Sequence, residues 1–314
     1  MSDYKTLKGQ NIKILSADPS PLYEGQVWYD TTDNVLNVRT SVGAWAEGND
    51  INTTREHAYG STAGTQTAAM ACDGSAQSTE EYNGTSWTEQ SPNTNTAKTN
   101  HMACGTQTAG LASAGGPPAA LLSEEYDGTS WTEGNDMVLA RFSGVGCGTQ
   151  TAGLGMGGNI SGTGTLVEKE EYNGASWAES GDLNTERHDL EASGTQTAGL
   201  CTGGAAFNTN SEEYNGTGWT EGNELNEGRN AATQIGIQTA SFVIGGKDPT
   251  TLASVEVYDG TSWATGTAIN NARSHPGGAG TTTLGLIWGG YNSGNQDHSE
   301  EWTQAAATQA VTVS

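Results

Sequence analysis

The chain has 314 residues, with 36 acidic against 12 basic side chains and a formal net charge of −24. That balance argues against nucleic acid as a partner, since phosphate neutralisation needs Lys and Arg, and it disfavours an anionic membrane surface. Only 15% of the residues are charged and 45 are glycine, yet 9 Trp and 10 Tyr recur at intervals, which implies packed structure.

The chain begins MSDYKTLKGQNIKIL, which lacks the apolar core of a signal peptide, and no stretch approaches the ~20 apolar residues of a membrane span. Synthesis in a cytoplasm and no membrane insertion are therefore expected. Next, NVLNVRTSVGAWAEG at 34–48 reads as a strand pair ending at Trp45, one period before Trp87.

From there two phrases alternate. EEYNGTSWTE at 80–89 returns at 124–133, 170–179, 212–221 and 256–265, and a degraded copy closes the series at Trp302. GTQTAGLASAGG at 105–116 has counterparts beginning at Gly64, Gly148, Gly194, Gly236 and Gly280. Each phrase occurs six times, and Trp87, Trp131, Trp177, Trp219 and Trp263 are spaced by 42 to 46 residues. One unit reads as four strands. A basic residue begins an inner strand, and GTQTA turns the chain into a second strand ending at Gly-Gly. EEY forms a third strand, Asn-Gly or Asp-Gly makes a tight hairpin turn, and Ser-Trp begins the fourth. The segment ending at Trp45 is expected to supply the missing outer strand of the last unit, beside the strand holding Trp302. A seventh unit is the alternative. The tryptophans are expected to be buried between units.

Two charged ladders share the period. Arg55, Lys98, Arg141, Arg187, Arg229 and Arg273 begin the inner strands, and Glu80, Glu124, Glu170, Glu212, Glu256 and Glu300 lie two residues before each Tyr or Trp302. Six cations and six anions in register most simply form ion pairs. The alternative is a basic ring at a channel mouth that accepts an anion. His57, His101, His188 and His275 follow the basic positions at uneven offsets, so no metal ring is expected. Cys72, Cys104, Cys147 and Cys201 have no metal-ligand spacing and read as buried thiols without chemistry.

Gly-Gly, a tyrosine two beyond a glutamate, and a tryptophan five past the tyrosine resemble the kelch repeat. The resemblance covers about 50–303 and implies an all-β fold, a six-bladed kelch-type β-propeller with a short N-terminal arm. The segment NIKILSADPSPLYEGQVWYDTTDNVLNVRTSVGAW at 11–45 is similar to one common in bacteriophage structural proteins. The repeats themselves resemble kelch-like virion proteins of marine and cyanobacterial phages. These likenesses imply a virion protein with a docking arm over 1–33 and a propeller over 34–314, closed by pairing of its terminal strands.

Enzymatic signatures are weak. Y-[DN]-G-T-S-W is similar to the sialidase Asp box, but its glycine falls one residue early, and the arginines are spread one per unit rather than clustered. No tyrosine, histidine and cysteine grouping of the kelch-type copper oxidases stands out. The expected function is therefore a non-enzymatic, tail-fibre-like or decorating virion component without cofactor. It would present its propeller to a host-surface glycan or protein receptor and contact other virion proteins through the arm. The alternative is an internal virion scaffold that packs only against other subunits.

Overall fold

A computed structural model of the chain describes residues 13–16, 27–56, 64–74, 77–116, 120–161 and 164–310. The fold is all-β, with no helix among the described residues. Two compact units are distinguished, 1–44 together with 303–314, and 45–302.

Within 45–302, five antiparallel sheets each contain four strands joined as a meander. In one, Met102–Thr106, Ala109–Ser113, Ser123–Tyr126 and Trp131–Glu133 hydrogen-bond in that order. The sheets of Trp87, Trp177, Trp219 and Trp263 repeat the plan, and each sheet is named below by its tryptophan. In the Trp45 sheet, Gly277–Gly280 and Leu284–Trp288 are followed by the start of Ser299–Ala310 and then by the end of Val35–Glu47. The arrangement is propeller-like. First strands of successive sheets lie side by side, and Gly277–Gly280 also neighbours Gly64–Thr65.

Local chemistry explains the turns. Thr106 pairs with Ala109, so Gln107 and Thr108 form a two-residue turn. Gly105 enters it at φ +109°, where an added Cβ would sit 2.2 Å from the Ala109 carbonyl oxygen. The connection after Tyr126 is longer than a tight turn, because Tyr126 pairs with Trp131 and leaves four residues between them. Asp127 Oδ1 accepts the N–H groups of Thr129 and Ser130, both at 2.8 Å, so a side chain organises this loop.

The basic residue does not begin the inner strand. Arg141 precedes Val145–Thr149 by four residues, and its main chain bonds outside the ladder. Its N–H donates to the Ala120 carbonyl, and its carbonyl accepts from Gly115 of the preceding sheet.

Second strands are buried along most of their length, and their small residues let neighbouring sheets approach. A Cβ on Gly153 would lie 3.0 Å from Leu111 Cδ2 of the sheet before it. Six hydrophobic clusters of described residues sit between neighbouring sheets, such as Met70 and Cys72 against Ala103, Ala112, Tyr126 and Trp131.

In the other unit, Lys13–Leu15 pairs in parallel with Val27–Asp30, which pairs antiparallel with Val35–Val38. The residues expected to be an arm thus include two strands, and Trp28 is wholly buried. Residues 1–12 and 17–26, most of the expected docking segment, lie outside the described residues. The strand pair expected over 34–48 is instead one strand, Val35–Glu47, because its antiparallel partner is Val27–Asp30.

Candidate functional site

All six cations of the first ladder are 0–1% exposed, and each meets the glutamate of its own sheet. Arg141 Nη2 lies 2.8 Å from Glu170 Oε1, Arg187 2.5 Å from Glu212, Arg229 3.1 Å from Glu256 and Arg273 2.7 Å from Glu300. Arg55 with Glu80 and Lys98 with Glu124 complete the series. The other guanidinium arm of Arg141 donates to the carbonyls of Gly157 at 3.0 Å and Glu168 at 2.6 Å. Glu170 also accepts the N–H groups of Val138 at 2.7 Å and Leu139 at 3.0 Å. The ladder therefore closes each sheet internally, and its charges do not form an open ring.

Up to three further side chains per repeat tie one sheet to the one before it. The tyrosine hydroxyl donates across to the second glutamate of the EEY phrase: Tyr126 to Glu81 at 2.8 Å, Tyr172 to Glu125 at 2.5 Å, Tyr214 to Glu171 at 2.7 Å and Tyr258 to Glu213 at 2.5 Å. Tyr82 reaches Glu301 in the same way. Burial, together with these carboxylates, raises the phenol pKa of each of these five tyrosines.

The turn glutamine gives its amide to two carbonyls of the preceding sheet. Gln150 reaches Gly110 at 3.1 Å and Tyr126 at 2.9 Å, and Gln66, Gln107, Gln196 and Gln238 do the same in their sheets.

The tryptophans are buried and pack against the tyrosine of their own sheet, with ring centroids 4.8–5.1 Å apart and the rings tilted by 30–36°. The indole N–H of Trp87, Trp131 and Trp177 donates to Ser299, Thr79 and Ser123 of the preceding sheet. Lys169 occupies that slot before Trp219. It is buried, 2.8 Å from Glu171 and 3.5 Å from the centre of the Tyr214 ring. Sequence reasoning passed over the glutamines and second glutamates, although their constant offsets in the repeat were a usable signal.

Repeated charge is thus spent inside the molecule, and what remains exposed is acidic. Of the eight Lys and Arg between 45 and 302, seven are buried and only Lys247 is exposed. The same stretch holds 31 Asp and Glu, of which eight are buried. Such a surface repels polyanions and attracts cations.

Two of the buried acids lack a cation within bonding distance among the described residues. Glu191 Oε1 accepts the Ala232 N–H at 2.6 Å, while Oε2 has no hydrogen-bond partner among the described residues, and burial pushes its pKa up to about 8. Asp73 occupies the first glycine position of a Gly-Gly pair and bonds Thr94 at 2.5 Å, and burial raises its pKa to about 7.

The cysteines are all buried, and burial raises their thiol pKa values, Cys104 and Cys201 to about 12, so none is a ready nucleophile. Cys72 Sγ lies 3.6 Å from Nε2 of His101, and both are buried. His188 lies near Asp189, and His275 adopts φ +55°. His57 lies outside the described residues.

Repeat symmetry breaks on the Trp87 sheet. The segment from Trp87 to Lys98 is one residue longer than its counterparts and borders a cavity of about 440 Å³. Its lining is polar, including Thr53, Gln77, Glu89, Gln90, Ser91 and Asn93. A smaller space of about 110 Å³ is lined by inner-strand residues, among them Gly148, Gly194, Gly236 and Gly280. No family model matches the chain, and no curated protein matches it in sequence.

Proposed function

We propose that residues 45–302 form a closed six-bladed propeller of kelch type that serves as a non-enzymatic binding module of a phage particle. Six sheet-to-sheet neighbourhoods, including Gly277–Gly280 beside Gly64–Thr65, support the ring, as does the bond from the Gly290 N–H to the Arg55 carbonyl at 2.8 Å. The observation that carries the binding reading is the division of labour among side chains. The repeated Arg, Glu, Tyr, Gln and Trp are consumed in holding sheets together, which leaves the loops and the acidic surface to meet a partner.

That surface narrows the ligand. With Lys247 as its single exposed cation over 45–302, it suits neutral glycans or a basic protein face and not sulfated or phosphorylated polymers. The 440 Å³ cavity offers a carboxylate, amides and hydroxyls, which is the chemistry that accepts and donates to sugar hydroxyls, and its size falls in the range of ligand pockets.

The role proposed for the protein is tail-fibre-like or decorating, at the host surface. An internal scaffold docked on a basic virion subunit is the second reading, and the same charge favours it.

The test is the full-length protein on an array of neutral and acidic glycans, with binding to whole host cells measured alongside. Retention by neutral glycans or cells supports the receptor role. Silence in both, with antibody labelling confined to the particle interior, transfers the assignment to the scaffold.

A further inference from the structure

Outside the repeated framework, three side chains able to ligate a metal meet at one place. The donor atoms of Asp50, Asp297 and His298 all lie within 4.8 Å of one another. His298 Nδ1 is 3.4 Å from Asp50 Oδ1 and 3.6 Å from Asp297 Oδ1, and all three side chains are about half-exposed.

Their backbones are not free loops. The Ile51 N–H donates to the Asp297 carbonyl and the Gly48 N–H to the Ser299 carbonyl, both at 2.9 Å, while Ile51 and Ser299 are buried. The donors therefore project from two cross-bonded chain segments and are held near one another before any ion arrives.

The combination is peculiar to this sheet. Positions equivalent to Asp50 hold Asp136, Asp182 and Glu224 in three other sheets, but the residues facing them in the repeat are Leu121-Leu122, Val167-Glu168 and Thr209-Asn210. None of these sets includes an imidazole. Nor does the framework require the cluster, since Arg273–Glu300 already supplies the ion pair of this sheet.

We propose that Asp50, Asp297 and His298 bind one divalent transition-metal cation, with water or an external ligand completing its coordination. Two carboxylates and one imidazole suit a borderline cation such as Zn²⁺ or Mn²⁺ better than the all-oxygen shell of Ca²⁺. The acidic surface around the site draws cations toward it. A bound ion would cross-link the end of the strand contributed from the N-terminal side to the start of the strand contributed from the C-terminal side. The link closes a loop nearly as long as the unit itself, where loop-closure entropy makes a clip most stabilising. This inference does not depend on the virion reading.

Tag-free, full-length protein stripped with EDTA is titrated with ZnCl₂, MnCl₂ and CaCl₂ by calorimetry, and its melting temperature is read with and without Zn²⁺. The four cysteines are buried and do not compete. One saturable Zn²⁺ site is expected, weakened at least about tenfold by His298→Ala and by Asp50→Asn. The control His188→Ala leaves the isotherm unchanged. The Zn²⁺-dependent rise in melting temperature is expected to vanish in His298→Ala, whose melting point in EDTA matches wild type. Absence of a saturable site, a Zn²⁺ isotherm that survives His298→Ala, or equal binding of Ca²⁺ in that variant overturns the proposal. In those cases the cluster is an ion pair of His298 with two carboxylates and nothing more.

Discussion

Arg141→Ala probes the internal ion pairs most directly. The substitution removes a wholly buried guanidinium together with its bonds to the Gly157 and Glu168 carbonyls and to Glu170. Glu170 is left buried, with only the Val138 and Leu139 N–H groups to offset its charge. Breaking a buried pair from one side costs about 3–5 kcal/mol. At ~2–4 °C per kcal/mol for a domain of this size, the melting temperature falls by roughly 6–20 °C. Urea unfolding followed by tryptophan fluorescence measures the loss, since the tryptophans are buried beside the sheets concerned. A second arm separates charge from packing. Arg141→Ala/Glu170→Gln neutralises the stranded carboxylate and is expected to recover part of the loss relative to the single variant. A loss under about 1 kcal/mol, the level of an exposed pair, refutes the reasoning. So does strict additivity of the two substitutions, because uncoupled residues do not share a buried interaction.

Gln150→Ala removes two bonds to carbonyls of the preceding sheet and is expected to cost about 1–3 kcal/mol in the same assay, with unchanged stability counting against the glutamine as an intersheet tie. Glu191 is the site of a pH effect whose sign is fixed by its raised pKa. From the ordinary glutamate range up to about 8 the folded state holds a proton that the unfolded state has released, so stability declines as pH rises through that window, by up to about 1.4 kcal/mol per pH unit. Glu191→Gln is therefore expected to flatten the stability profile between pH 5 and 8 and to be more stable than wild type at pH 8, and parallel profiles for the two proteins would exclude the assignment.

The strands were legible because they recur. EEY and the following Trp mark the third and fourth strands in each of five sheets, and the GTQTA phrase marks the turn between the first two. Tertiary partners were less legible. The ladder glutamate and the ladder cation could be matched by period alone, but nothing in the period says that Glu124 turns toward Lys98 of its own sheet while Glu125, the next residue, turns to Tyr172 of the following one. Alternation along the third strand decides this, since adjacent side chains point to opposite faces. The loop after Tyr126 departs from the expected tight turn for a different reason. Asn-Gly and Asp-Gly favour two-residue turns when the backbone must bond to itself, and here the Asp127 carboxylate takes two of the amides. The strands at 13–15 and 27–30 belong to no repeat, so no period announced them.

One boundary between sheets departs from the pattern at every tie, and the manner of departure explains the pattern itself. Between the Trp263 sheet and the Trp45 sheet the tyrosine slot holds Trp302, the second glutamate is Val257, the turn glutamine is Thr282 and the serine that would meet an indole is Val255. The polar ties have been replaced on both sides together. Trp302 packs against Phe242 and Trp45, with centroids 5.3 and 5.4 Å apart, inside a cluster with Ile235, Ile244, Val255, Ile269 and Ile287. A tyrosine hydroxyl without its glutamate, or a glutamate without its hydroxyl, would be a buried group lacking its partner and costs the full desolvation of that group, whereas exchanging both for apolar surface is close to neutral. The same logic accounts for Trp45, which donates its indole N–H to the Thr267 carbonyl at 3.0 Å rather than to a side chain of the neighbouring sheet. Directional bonds demand that both partners be placed within a few tenths of an ångström, and apolar packing does not. A seam beside a sheet assembled from strands more than 200 residues apart in sequence is where that tolerance is most useful, because no short connection there fixes the register in advance.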